Sequence, residues 1–260
     1  MKTLLSTILL ILAPLPGLFA QDQKISEELI EVGIIEKLEE IVPLDLTFLN
    51  EQNDTVSLGE LINKPTILSF VYFDCPGLCS PLLDGIAEIV DKLDMDLGED
   101  YQIITISFNT EDTPEKAGIK KNNFVQKIGE ENRKHWIYLT GEQDNIMEVT
   151  KAVGFKYKPQ GLDFAHPSAI IMLSPEGKIT RYLYGIDFLP FDVKMALIEA
   201  QQGIARPTIN KILEYCFAYD PNGRTYTLQV TRIVGGIMLF LLAVVFISLV
   251  IAGRKKLSKK

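Results

Sequence analysis

Residues 66–73, "TILSFVYF", form a run without a charge and rich in β-branched and aromatic side chains. A strand with one wet face alternates polar and apolar residues. This run does not, so it reads as a strand buried on both faces, as strands of a parallel sheet are. Parallel neighbours need a crossover between them, usually a helix. The next segment supplies one: "PLLDGIAEIVDKL" places Leu82, Leu83, Ile86, Ile89, Val90 and Leu93 at helical spacing. The pattern then recurs. "YQIITISF" (101–108) is a second buried strand, and "DTPEKAGIKKNNFVQKIG" a helix with Thr113 as N-cap and Pro114 at its first position. "HWIYLTG" is a third strand, "QDNIMEVTKAVGF" a helix, "SAIIMLSPEGKITRYLYG" a hairpin around Pro-Glu-Gly, and 191–204 a last helix. "LDLTFLNEQNDTVSL" upstream alternates around "NEQND" and reads as a further hairpin. The predicted fold class is α/β, a central sheet flanked by helices, with no internal repeat.

Both ends of the chain are apolar in a different way. "MKTLLSTILLILAPLPGLFAQ" has a lysine, an apolar stretch too short to span a bilayer and a small residue at Ala20, so 1–20 reads as a secretory leader cut near Ala20–Gln21. At the other end 233–252, "IVGGIMLFLLAVVFISLVIA", is twenty residues without a charge. At 1.5 Å per residue that crosses a hydrocarbon core of roughly 30 Å. The tail that follows, 253–260, carries Arg254, Lys255, Lys256, Lys259 and Lys260, and such basic flanks stay in the cytoplasm. The expected organisation is therefore a leader, an amphipathic segment at 21–42 opening with Ser-x-x-Glu, a folded domain at 43–205, a membrane-proximal connector at 206–232, one transmembrane helix and a cytoplasmic tail. The domain would face outward from the cell (inner) membrane, on the periplasmic side.

The formal charge is −8. Without Lys2 and the basic tail it falls to roughly −14 on the external part, which argues against nucleic acid, whose phosphates need facing cations. The chain has three cysteines, an odd number for an exported protein. Cys75 and Cys79 form a close pair, and Cys216 stands alone in "LEYCFAYDPNGRTY", where Tyr215, Phe217, Tyr219 and Tyr226 suggest a membrane-proximal or partner-facing surface and the thiol reads as packed or passive.

"FVYFDCPGLCSPLLDGIAEIV" sets the cysteine pair between the first buried strand and its helix. There the N-terminal helix dipole favours a thiolate. Pro81 places the regular helix start at Ser80 as N-cap and Pro81 as first position, leaving "CPGLC" as a turn to which Gly77 gives freedom. Both sulfurs then point to one side of the helix mouth. Two soft thiolates suit Cu(I) or zinc, with an imidazole as the natural third ligand. Of the two histidines, His135 sits at the polar start of a strand and reads as solvent-facing. His166, in "GLDFAHPSAIIML", lies in a loop directly before a late strand, where sites gather, and is the better ligand candidate.

Taken in order, "VYFDCPGLCSPLLDGI", "SFNTEDTPEKA", "WIYLTG", "AVGFKY" and "FAHPSAIIMLSPEGKITRYLYG" resemble the Sco/SenC family of copper-handling proteins, over roughly residues 30 to 205. The resemblance implies a thioredoxin-like fold, a copper ion held by Cys75, Cys79 and His166, and assistance in building the binuclear copper site of cytochrome c oxidase, whose copper-bearing subunit would be the partner. Many members of that family put an aspartate directly before the histidine. Here Ala165 stands there and Asp163 lies two further back, a candidate substitute for orienting the imidazole. Two other readings compete with the metallochaperone. A thiol–disulfide oxidoreductase would use Cys75 and Cys79 as its redox pair, although such enzymes usually have CxxC. A peroxidase is poorer, because "FDCPGLC" lacks the usual threonine and nearby arginine.

Overall fold

The computed structural model describes residues 31–161 and 163–207, together with the backbone of 217–220 and 225–228. The first part opens with β1 (Gly33–Ile34), β2 (Thr47–Asn50), β3 (Thr55–Ser57), α1 (Leu58–Leu61) and β4 (Thr66–Val71). Then come α2 (Cys79–Lys92), β5 (Gln102–Ser107), α3 (Pro114–Ile128), a 3-10 turn (Glu130–His135), β6 (Trp136–Thr140) and α4 (Gln143–Ala152). Four strands follow, β7 (Phe155–Lys156), β8 (Lys158–Gln160), β9 (Asp163–Ala165) and β10 (Ala169–Leu173), and the part closes with β11 (Ile179–Tyr184) and α5 (Pro190–Gln201).

Seven strands form one mixed sheet in the order β11-β10-β4-β5-β6-β2-β3. β4, β5 and β6 run parallel at its centre, and β10, β11, β2 and β3 add antiparallel at the two sides. The predicted α/β class holds, and the helix-flanked mixed sheet is consistent with a thioredoxin-like arrangement. Every residue of β4, β5 and β10 is buried, which is why their sequences show no alternation. The few polar side chains there satisfy one another. Ser69 and Thr105 share a 2.9 Å hydroxyl bond, and the Trp136 indole N–H donates to Thr105 Oγ1 at 2.9 Å.

α3 starts as expected, with Thr113 Oγ1 accepting from the Lys116 N–H at 3.3 Å and Pro114 in the first turn. α2 starts two residues earlier than expected, with Leu78 as N-cap and Cys79 as first residue rather than Ser80 and Pro81. Pro81 falls in the first turn, where backbone N–H groups have no intrahelical acceptor to lose, and the Leu82 N–H already closes on Leu78 O at 2.9 Å.

The amphipathic segment predicted over 21–42 is not helical in its described part. Residues 33–34 pair as β1 with β7, a turn follows at Lys37–Glu40 with Glu39 at φ 69°, and the Glu39 and Val42 N–H groups go to Ile179 O and Gly177 O at 3.0 Å. Ile34, Leu38 and Val42 pack on the domain while Ile41 is exposed, and apart from the Glu40 N–H, which closes on Lys37 O, its backbone bonds go to the segments around β7 and β11. The connector read at 206–232 contains an antiparallel hairpin, β12 (Phe217–Asp220) with β13 (Thr225–Leu228), in a second unit that begins at Thr208. The leader at 1–20, Cys216, the membrane helix at 233–252 and the tail at 253–260 lie outside the described residues. Among the described residues no helix is long and apolar enough to cross a membrane.

One close approach fixes α2, and with it Cys79. A Cβ on Gly85 would overlap the Ile186 carbonyl oxygen. Gly85→Ala should therefore lower stability by about 1–3 kcal/mol through overpacking, instead of the gain of about 1 kcal/mol that alanine brings to an open helix position. Urea unfolding followed by the fluorescence of the single tryptophan, Trp136, measures the sign. A stabilised variant would show that α2 is free to move away from residue 186.

Candidate metal centre

The strand pairing brings distant segments to one edge of the sheet. β10 runs against β4 with Ile170 opposite Ser69 and Leu173 opposite Thr66, so the residues before β10 meet those that follow β4. β5 is parallel to β4, with Ser107 beside Val71, and adds Phe108 and Asp112 to the same edge. His135, at the start of β6, belongs to the opposite edge, because Trp136 pairs with Ile103 at the start of β5. It is half-buried against Gly98 rather than fully solvent-facing, and burial lowers its pKa.

Cys75, Cys79 and His166 converge. Their two sulfurs and one ring nitrogen all lie within 4.8 Å of one another, with Cys79 Sγ 3.6 Å from His166 Nε2. His166 Nδ1 is 2.8 Å from the Pro167 carbonyl oxygen. A carbonyl only accepts, so Nδ1 carries the proton and Nε2, facing the sulfurs, holds a bare lone pair. Burial lowers the histidine pKa, which keeps that ring neutral. Phe108 packs 5.2 Å and Tyr72 5.9 Å from the imidazole centroid, so its plane is set by rings on two sides.

The thiols are unequal. Burial raises Cys75, but hydrogen bonds from the Cys79 side chain and backbone and from the Gly77 N–H at 3.4 Å outweigh it and hold Cys75 below the ordinary thiol range. Cys79, at the first position of α2 and fully buried, is pushed far up, mainly by burial. The pair therefore offers one half-exposed, easily ionised sulfur and one sequestered sulfur. Both are free thiols.

The loop carrying them is clamped from α3 and the residue before its cap. Asp112, with a side chain closed to solvent, accepts from the Phe73 N–H at 2.7 Å and from Ser107 Oγ at 2.6 Å. Lys116 joins Asp74 at 2.5 Å, and Lys120 donates to Phe73 O at 3.1 Å and Ser80 Oγ at 3.0 Å. Sequence reasoning named none of the three. Their signal is the spacing in "DTPEKAGIKK": Lys116 and Lys120 are one turn apart on one face of α3, and Asp112 stands directly before its Thr113 cap. Asp163 does not hold His166. Its Oδ1 accepts from the Tyr72 hydroxyl at 3.1 Å, and the imidazole N–H goes to Pro167 instead.

Fold and site together define a class: an α/β domain with a dithiol and an imidazole gathered at one end of its central strands. The SCO1/SenC family model matches residues 38–189, more than half of the chain, and the chain belongs to that family. A SCO1 protein homolog of Bacillus subtilis (strain 168) is 27% identical over 150 residues, 56% of this chain and 75% of that protein. Among solved structures, a candidate electron transfer protein of Aquifex aeolicus VF5 is 28% identical with a TM-score of 0.59, covering 64% of this chain and 95% of that one. Arabidopsis thaliana ScoI, crystallised with copper bound, shares the fold at 21% identity and a TM-score of 0.51, over 60% of this chain and 96% of its own.

In the reduced protein with Cys216 replaced by serine, iodoacetamide should label Cys75 well before Cys79. The rate should rise with pH through a midpoint below the roughly 8.5 of a free thiol. Mass spectrometry of early time points reads the order. Equal labelling of the two would contradict the inequality derived from their surroundings.

Proposed function

We propose that this chain is a membrane-anchored copper metallochaperone. Reduced Cys75 and Cys79 with His166 hold one copper ion as cargo, and the ion passes to the copper-bearing subunit of cytochrome c oxidase. The observation that carries this reading is the convergence of two sulfurs and an unprotonated Nε2 at separations one small cation bridges. Soft thiolates favour Cu(I), and a three-donor set leaves room for an incoming ligand, so release proceeds by exchange. Copper is also the metal bound in the Arabidopsis relative. The leader at 1–20, the apolar run at 233–252 and the basic tail support an external domain (43–205) tethered to the cell membrane through 206–232.

The chemistry that this chain's own residues supply is binding and proton control. Cys75 ionises readily, while Cys79 gives up its proton only on binding, since burial opposes its free thiolate. His166 needs to lose nothing, because its Nε2 is already bare.

The unequal thiols also favour a second reading, thiol–disulfide exchange. The Cys75 thiolate attacks a partner disulfide and releases one partner thiolate. The Cys79 sulfur then attacks Cys75 and releases the second, so two electrons and two protons leave the pair and the partner ends as a dithiol.

His166→Ala separates the two. Under the copper reading it should weaken Cu(I) binding, measured by chelator competition, by more than the roughly 10–100-fold that loss of a supporting residue costs. Reduction of a test disulfide should be unchanged. Wild-type affinity in His166→Ala would remove the three-donor site and leave the dithiol alone.

A further inference from the structure

Tyr72 stands three residues before Cys75, and Asp163 three residues before His166. Their side chains meet in the 3.1 Å hydrogen bond from the Tyr72 hydroxyl to Asp163 Oδ1. Tyr72 is only 5% exposed, held within the sheet edge against Phe108 at 5.5 Å. Its ring meets Phe164 edge-on at 5.2 Å and His166 edge-on at 5.9 Å. One tyrosine thus touches three residues of the segment that delivers the imidazole.

Downstream of His166 the chain is tied to β11 by the Gly185 N–H to Ser168 O bond at 2.9 Å, but upstream the segment has little else to fix it. β8 and β9 pair with each other, Lys158 opposite Ala165 and Gln160 opposite Asp163, and form a sheet of their own. Among the described residues no backbone hydrogen bond joins 158–165 to the seven-stranded sheet. β8 is exposed throughout, and its ion pair from Lys158 to Glu31 lies in water, where such pairs hold weakly. The His166 N–H bond to Pro167 is local and orients the ring without anchoring the chain. What remains is Phe164 among its aromatic neighbours and the bond between a buried phenol and a carboxylate.

We infer that Tyr72 and Asp163 form a latch that fixes the His166 segment over the cysteine pair. They are positioning residues: neither is a donor to the metal, and Asp163 acts on His166 through Tyr72 rather than through the imidazole. The latch belongs to the metal-free fold. Only its consequence for affinity rests on the copper reading of the site.

The test uses the detergent-solubilised full chain, reduced and metal-free, as wild type, Tyr72→Phe, Asp163→Ala, Asp163→Asn and the double variant Tyr72→Phe/Asp163→Ala. Tyr72→Phe keeps the ring and removes only the hydroxyl. Asp163→Asn keeps an acceptor oxygen. Hydrogen–deuterium exchange of the peptide covering 158–165 should quicken about five- to tenfold in Tyr72→Phe and in Asp163→Ala, as loss of one hydrogen bond predicts. The double variant should be no faster than either single one, and Asp163→Asn should return most of the protection. Cu(I) affinity by chelator competition should fall about tenfold in the same variants and recover in Asp163→Asn. Unchanged exchange in both single variants, or effects that add in the double variant, would overturn the latch. The expected exchange pattern in a protein that binds no Cu(I) would uphold the latch and remove the copper reading.

Discussion

The site depends on the pairing of β10 with β4. Cys75 and His166 are ninety-one positions apart, and the antiparallel register, Ile170 opposite Ser69, is what makes the end of one strand the neighbour of the other's beginning. Because side chains alternate along a strand, a slip of one residue would turn every side chain of β10 to the wrong face. β10 is buried along its whole length between β4 and β11, so such a slip would also unseat the packing of the sheet's centre. Register is therefore set by the core, and the geometry of the candidate site is inherited from it.

Within that frame the two cysteines take opposite environments from one short turn. Cys79 is inside α2, closed to solvent. Cys75 is in the preceding loop and receives hydrogen bonds from it. The difference follows from where the helix begins. Starting at Cys79 makes that sulfur part of the helix's packed first turn, whereas a start at Pro81 would have left both cysteines in the turn. The α3 clamp then matters because a loop with Pro76 and Gly77 has few bonds of its own. Asp112 and Lys120 hold its first residue, Phe73, through the backbone, and Lys120 also grips Ser80 at the far side. The pair is thus pinned at both flanks and open only at Cys75.

Much of this was legible in the sequence, for a physical reason: strands buried on both faces announce themselves by losing alternation, and crossover helices by their apolar spacing. β4, β5, β6, the terminal hairpin and α3 with its Thr113 cap were readable in this way. So were Cys75, Cys79 and His166, because soft donors at strand ends are few and stand out. The latch was not readable. Tyr72 looks like one more apolar residue of "TILSFVYF", and Asp163 like one of many surface acids, and nothing local says that their side chains meet across ninety-one positions. The non-helical course of 33–42 was hidden for the opposite reason. Its apolar residues fit a helical face, but the strand ends at Gly154, Gly177 and Ile179 offered backbone partners that only the folded domain provides.

In the proposed function, these features set how the third donor, His166, differs from the two sulfurs. The sulfurs are fixed by a strand, a helix and the α3 clamp, all tied into the core. The imidazole sits between the β8–β9 hairpin, which side chains hold, and the start of β10, where Ser168 O accepts the Gly185 N–H at 2.9 Å. A charge-assisted hydrogen bond such as the one from Tyr72 to Asp163 contributes about 1.5–3 kcal/mol at most, less where water reaches it, and Asp163 is exposed. Opening the His166 segment would, in the proposed function, lower the number of donors from three to two without disturbing α2, in which Cys79 is buried. In the proposed function, a site that must both hold an ion and give it up has its weak joint on the histidine side. The half-exposed Cys75 sulfur is then the one an acceptor ligand can approach while buried Cys79 keeps its hold until last.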